Sequence, residues 1–145
     1  MTEEFSIGQA AKLSGVKVTT IRYYESVGLM PEPRRVESGR RIYGQVAVDL
    51  LGFIRHARDL GFSVEAIRDL IDLQESPGTD CAKADELARR HLVDTQSRIE
   101  QLRVLERELK RMIDSCSGGE VGTCEIVTSL FDHSKCQSDH KLKIA

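Results

Sequence analysis

Apolar positions recur every three to four residues through most of the chain, in blocks broken by glycine and proline. That pattern predicts a mainly α-helical protein. Ser6-Ile-Gly-Gln9 has the form of a capping box, in which the serine hydroxyl and the glutamine side chain satisfy opposite orphan amides. It opens a short helix, "IGQAAKLSG", which Gly15 can end in a left-handed conformation. A second helix follows at about "VTTIRYYESVG", ending at Gly28. Ala11, Gly15, Val18 and Ile21 fall where a helix-turn-helix needs a small residue, a turn glycine and two branched residues. Two prolines in "MPEPRRVESGRRIYG" then break the helical period, and "RRV-ESG-RRIY" reads as two short strands around a Glu-Ser-Gly turn. From Gln45 the helical period returns, with Val46, Leu50, Leu51, Phe53, Ile54 and Ala57 along one side. Gly61 stops that helix, and Ser63 caps "VEAIRDLIDLQ", whose apolar face holds Ile67, Leu70 and Ile71.

The next segment, "AKADELARRHLVDTQSRIEQLRVLERELKRMID", contains neither glycine nor proline. Leu92, Ile99, Leu102, Leu109 and Ile113 keep a heptad-like seam, interrupted by Thr95 and Glu106. A helix from Lys83 to Ile113 would be roughly 46 Å long. Its single narrow apolar stripe has no second long helix in the chain to cover it, so the expected partner is another copy. The segment reads as a dimerisation helix. These blocks divide the chain into a DNA-binding head with supporting helices (1–75), a linker and dimerisation helix (76–114), a loop with a short helix (115–132) and a polar tail (133–145).

Charge sharpens the reading of the head. The net charge of −2 over 145 residues argues against a nucleic-acid binder when taken alone. Between Gly8 and Arg41, however, Lys12, Lys17, Arg22, Arg34, Arg35, Arg40 and Arg41 face only Glu25, Glu32 and Glu37. A local basic face on a near-neutral protein suits a DNA reader whose other half does something else. A hairpin carrying four arginines and Tyr43, set just after a helix-turn-helix, can grip the phosphate backbone as a wing. An ordinary charged surface hairpin is the alternative. The first residues, "MTEEFSIGQA", lack the apolar core of a secretory signal, and no run is long enough to span a bilayer. A cytoplasmic location without membrane partners is expected, where structural disulfides are rare.

The four cysteines therefore point to metal or redox chemistry. Cys81 precedes the long helix, while Cys116 and Cys124 follow it in the glycine-rich loop "SCSGGEVGTCEI". A rigid helix keeps Cys81 from the other two within one chain. If two copies pair antiparallel as a coiled coil, Cys81 of each comes beside Cys116 and Cys124 of the other, giving two three-thiolate sites per dimer. Three thiolates suit a divalent thiophilic ion such as cadmium, lead, zinc or mercury, and two suit a monovalent one such as copper(I). Gly118, Gly119 and Gly122 would let loop amides turn toward the sulfurs. Two other readings remain: Cys81 as a small buried residue with only the loop pair binding, and a dithiol redox switch through Cys116 and Cys124. His133, Cys136 and His140 in the tail could form an auxiliary metal site or be incidental. No paired catalytic carboxylates, nucleophile motif or phosphate loop is present, so an enzyme is not expected.

With "TIRYYESVGLMPEPRR", "GRRIYG", "LGFIRHARDLGFSVEAI" and three cysteines flanking the long helix, the chain resembles the MerR family of metal-responsive transcription regulators over essentially its full length. The resemblance implies a winged helix-turn-helix dimer, with a C-terminal metal-binding loop, on a palindromic promoter. It also implies that metal binding reshapes the DNA so that RNA polymerase engages and a heavy-metal efflux or detoxification operon is activated. Carried over by position, Arg22 and Tyr24 of the second helix, Arg41 and Tyr43 of the wing and Arg58 should face DNA; Arg40 joins them from the hairpin. Family members that sense monovalent copper, silver or gold carry serine where Cys81 stands. The loop length here is like theirs, but the cysteine favours a divalent effector. The alternative is a copper(I), silver or gold regulator using only Cys116 and Cys124.

Overall fold

The computed structural model describes residues 3–116 and 118–132, which fall into two compact units on either side of Ala84. The first unit runs through β1 (Glu4–Phe5), α1 (Ile7–Ser14), α2 (Val18–Ser26), β2 (Arg34–Arg35), β3 (Arg41–Gly44), α3 (Gln45–Asp59) and α4 (Val64–Gln74). The capping box forms as expected: the Ser6 amide donates to Gln9 Oε1 at 2.9 Å and the Gln9 amide to Ser6 Oγ at 3.2 Å. Gly15 ends α1 at φ +73°, in the left-handed region where a side chain is disfavoured. α2 ends at Ser26, two residues before the predicted stop, because the Leu29 and Met30 amides both return to the Tyr24 carbonyl.

The hairpin pairs Arg34 with Ile42 and Arg35 with Arg41, and Gly39 closes its turn at φ +85°. A third strand was not expected. β1 lies antiparallel to the other edge of β3, with Phe5 opposite Tyr43, which gives the order β1-β3-β2. Two residues are too few to show a period of two, so nothing in the pattern announces this strand.

The core collects Ala10, Val16, Ile21, Tyr24, Leu29, Met30 and Tyr43 together with Val48, Leu51, Ile54 and Ala57 of α3 and Ile67 and Ile71 of α4. Val46, expected on the buried side of α3, is exposed instead. It sits in the first turn, where the strand-to-helix join turns it outward and Val48 takes the inward place. Ser63 caps α4 by accepting from the Ala66 amide at 3.1 Å, as its spacing predicted. Burying branched side chains such as Ile21, Leu51, Ile54 and Ile67, at about 1.5–3 kcal/mol each, is what holds this small unit against chain entropy.

The second unit consists of the greater part of α5 (Ala82–Ser115), a 3-10 turn at Val121–Thr123 and α6 (Glu125–Phe131). α5 has 34 residues and is about 51 Å long at 1.5 Å per residue. Its seam residues Leu92, Ile99, Leu102, Leu109 and Ile113 are 43–63% exposed. A different strip of the helix is covered: Glu108 and Met112 are its two buried residues. Among the described residues no helix is long and apolar enough to cross a membrane.

Candidate DNA-reading face and thiolate pair

α2 is the second helix of the helix-turn-helix, and its exposed side carries Arg22. The helix begins at Val18 without a side-chain cap bond from Lys17, so no side chain at its cap satisfies its first amides. Lys17 stands at that end, and Arg35 and Arg40 are exposed on the hairpin. Arg34 is drawn to Glu4 of β1 at 2.6 Å. Arg58 is exposed at the end of α3, and its Nη1 donates to the Phe62 carbonyl at 3.0 Å.

The two tyrosines expected to face DNA belong to the core. Tyr24 is 6% exposed and Tyr43 2%. Both rings belong to the buried cluster that also holds Ile21, Leu51 and Ile54. Tyr43 nonetheless keeps a polar role: its hydroxyl donates to Glu25 Oε1. Burial, followed by the Glu25 carboxylate, raises the Tyr43 pKa, with Arg41 and Arg22 opposing. Arg41 approaches the other Glu25 oxygen at 3.4 Å and is half-buried. Glu25 thus ties the reading helix to the wing strand, a role for which the sequence offered only its place in "RYYE".

Two more links support the head without being expected. Arg68 of α4 donates to the Val27 carbonyl just past the end of α2, satisfying an orphan acceptor. Arg55 of α3 packs over Gly15, so close that a Cβ there would meet its Nη1 at 1.7 Å. An arginine at i+4 before an aspartate reads as a surface pair, and Arg55 does have Asp59 at 3.8 Å. The sequence could not reveal its second contact.

Cys116 follows the last residue of α5, and Cys124 is the residue that α6 starts from. The structure brings the two near each other, close enough for the Cys116 thiol to help lower the Cys124 pKa. Cys124 makes no side-chain capping bond of ordinary geometry. The Val127 and Ile126 amides nevertheless face its sulfur and are the leading causes that lower its pKa; the Cys116 thiol adds to them, while burial and Glu125 oppose. The expected source of such amides was the glycines. Gly118 and Gly119 do adopt left-handed φ of +79° and +100°, but they bend the loop, and α6 supplies the donors. A helix start therefore favours the Cys124 thiolate, and no lysine or histidine is among the causes of its shift.

Cys81 is exposed ahead of α5. Among the described residues of the single chain, no three His, Cys, Asp or Glu side chains gather as a metal site. His133, Cys136 and His140 lie outside the described residues. Two adjacent thiols at the end of a helix suit a soft metal ion, and they leave room in its coordination for a ligand from elsewhere.

Comparison with known proteins decides the family. A profile described as "MerR HTH family regulatory protein" matches residues 5–74, and one described as "MerR, DNA binding" matches residues 48–112. The mercuric resistance operon regulatory protein of Bacillus cereus is 36% identical over 129 residues, covering 88% of this chain and 98% of that one. The chain belongs to the MerR family. As a MerR-family protein it is a DNA-binding transcription regulator and not an enzyme. Heavy metal-dependent transcription regulator 2 of Rhizobium meliloti is 36% identical over 129 residues, covering 89% of this chain and 88% of its own. Among solved structures, the transcription regulator PbrR691 from Ralstonia metallidurans in complex with lead(II) superposes with a TM-score of 0.76 at 36% identity, covering 87% of this chain and 98% of that one. The winged head and long C-terminal helix are thus those of MerR regulators.

Proposed function

We propose that this MerR-family protein activates a heavy-metal efflux or detoxification operon in the cytoplasm when a divalent thiophilic ion binds its cysteines. The observation that carries the reading is the Cys116–Cys124 pair, two thiols held side by side directly beyond the long helix. The exposed seam of α5 supports a homodimer, because a stripe of five large apolar residues left in water is the signature of a missing partner. In an antiparallel pair Cys81 of one subunit would complete the partner's thiolate pair as its third ligand. Relatives named for mercury resistance and solved with lead(II) favour this divalent reading over a monovalent one built on Cys116 and Cys124 alone. Cadmium, lead, zinc and mercury all match the donor set.

The DNA contacts fall to Arg22 on α2, Arg40 and Arg41 on the wing, and Arg58 at the end of α3. Tyr24 and Tyr43 support them from inside. Residues 1–75 would read the promoter, 76–114 pair the subunits and 115–132 sense the metal, while residues 133–145 add a polar tail. RNA polymerase at the same promoter is the partner that the metal-bound state would serve.

The test is transcription from the cognate promoter with purified polymerase and protein, titrated in parallel with cadmium, lead, zinc, mercury and copper(I). Divalent ions should activate while the protein stays bound, with a changed footprint on the DNA. Activation by copper(I) alone, undiminished in Cys81→Ser, would overturn the divalent reading in favour of the two-thiolate one.

A further inference from the structure

α6 is only seven residues long, and a helix of that length has no stability of its own. What anchors it also fixes Cys124, the residue from which it starts. The apolar end of α6 does not supply the anchor. Leu130 is 75% exposed and Phe131 90%, while the one buried residue of α6 is Ser129.

Ser129 meets a charged pair on α5. Arg111 donates to Glu108 Oε1 through both Nε, at 3.0 Å, and Nη2, at 2.6 Å. The same Nη2 reaches Ser129 Oγ at 3.5 Å. The pair is well sheltered, with 5% of the Glu108 side chain and 21% of the Arg111 side chain exposed. Shelter makes the arrangement directional. A forked guanidinium can satisfy the buried carboxylate in few orientations, and the one adopted points its outer nitrogen at α6. The backbone of the same residue acts at the other cysteine. The Arg111 carbonyl accepts from Ser115 Oγ at 2.7 Å, in the last turn before Cys116, and the Cys116 amide returns to Ile113 at 3.1 Å.

We infer that Arg111, oriented by Glu108, is a positioning residue for the thiolate pair: it locks α6 to the last turns of α5 and so sets the spacing of Cys116 and Cys124. The inference rests on the reading of that pair as a metal site. Arg111 need not touch the metal. Its effect is to remove the freedom of a short helix before the ion arrives, so that binding does not have to supply that ordering.

The experiment uses the full chain as a dimer, with cadmium(II) alone as the probe. Ser129→Ala removes the contact on α6 while keeping a good helix former and the ion pair intact. Arg111→Met removes the guanidinium, and Arg111→Lys restores its charge without its fork. Affinity is read by competition with a chromophoric chelator, and thiolate count by the sulfur-to-cadmium charge-transfer band. Metal-free operator binding and the dimer mass report whether each variant is folded. Ser129→Ala and Arg111→Met should bind cadmium about 10-fold or more weakly, the usual scale for groups that orient ligands. Arg111→Lys should recover part of the loss, and operator binding without metal should match wild type. If Arg111→Met fails to fold, Ser129→Ala decides alone. Wild-type cadmium affinity and band in Ser129→Ala would overturn the positioning role while leaving the metal site standing. A wild-type protein without any charge-transfer band would remove the metal reading itself, and the inference with it.

Discussion

The Tyr43 hydroxyl on β3 donates to the Glu25 carboxylate on α2, joining the wing to the reading helix by a hydrogen bond under the protein surface. Arg41, one strand position from the turn, approaches the same carboxylate from the other side. An acidic residue on a DNA-reading helix would repel phosphate if it pointed outward. Here it is turned inward and two wing residues hold it there, so the angle between helix and wing becomes a property of the fold.

Tyr43→Phe should therefore destabilise the head by about 1–3 kcal/mol, the scale for leaving a buried acceptor unsatisfied. Chemical denaturation measures the loss. The raised Tyr43 pKa adds a sign: the folded state favours the neutral phenol, so this stabilisation is complete below the ordinary tyrosine pKa of about 10. It is lost as pH rises through the higher folded value, and Tyr43→Phe should lack that alkaline loss. Equal stability of the two proteins at neutral pH would show that Glu25 has another sufficient donor.

Arg22→Ala and Arg41→Ala should both weaken operator binding, but only one of them should unsettle the fold. Arg22 is exposed on α2, so its loss should lower the salt dependence of binding by about one counterion and leave the melting temperature unchanged. Arg41 also faces Glu25, so its alanine variant should lose stability as well. Cadmium binding should be unaffected in both. Operator titrations at several salt concentrations check the first point, and retained wild-type binding in Arg22→Ala would exclude it from the interface.

Gly15→Ala places a Cβ against the Arg55 guanidinium at a residue whose φ is +73°. The left-handed backbone alone costs about 1–2 kcal/mol for a residue with a side chain. Arg55 must also move, which its flexible end allows. Thermal unfolding should show Gly15→Ala less stable than wild type, and adding Arg55→Ala should recover only the steric part. Full recovery in the double variant would mean the backbone is not strained.

Leu102→Glu combined with Leu109→Glu puts two carboxylates on the exposed seam of α5. Sedimentation should show a monomer whose head still gives the wild-type fold by circular dichroism. Operator affinity should fall sharply, because a palindrome is then read one half at a time. A stable dimer in this variant would move the pairing surface away from the seam.

Cys81→Ser and the double variant Cys116→Ser with Cys124→Ser provide a complementation test when mixed. Each homodimer lacks at least one thiolate at both sites. If ligands cross the interface, Cys81 of the double variant meets the intact pair of the single variant in the heterodimer, so one site is restored and the other holds no thiolate. Cadmium charge-transfer absorption should return to about half the wild-type amount per dimer. Absence of recovery in a verified heterodimer would place all ligands of a site in one chain.

Much of this protein was written in contacts that span one helical turn. Ser6 with Gln9, Ser63 with Ala66, Gly15 at the end of α1 and Gly39 in the hairpin need only residues three or four apart, so the sequence by itself determined them. The apolar seam of α5 was legible for the same reason: its residues repeat at a fixed spacing on one surface. Tertiary structure alone decided what distance in sequence conceals. Tyr24 and Tyr43 are amphipathic, equally fit for a core or a phosphate, and only packing against α3 turned their rings inward. β1 exists because β3 offered it an edge. Glu108, Arg111 and Ser129 look like ordinary helix-surface residues, yet the pair is sheltered and Arg111 reaches Ser129 on α6. The cysteines divided along the same line. Their types and order announced soft-metal chemistry, but the meeting of Cys116 with Cys124, and the α6 amides that favour the thiolate, depend on a bend in the chain that no local pattern encodes.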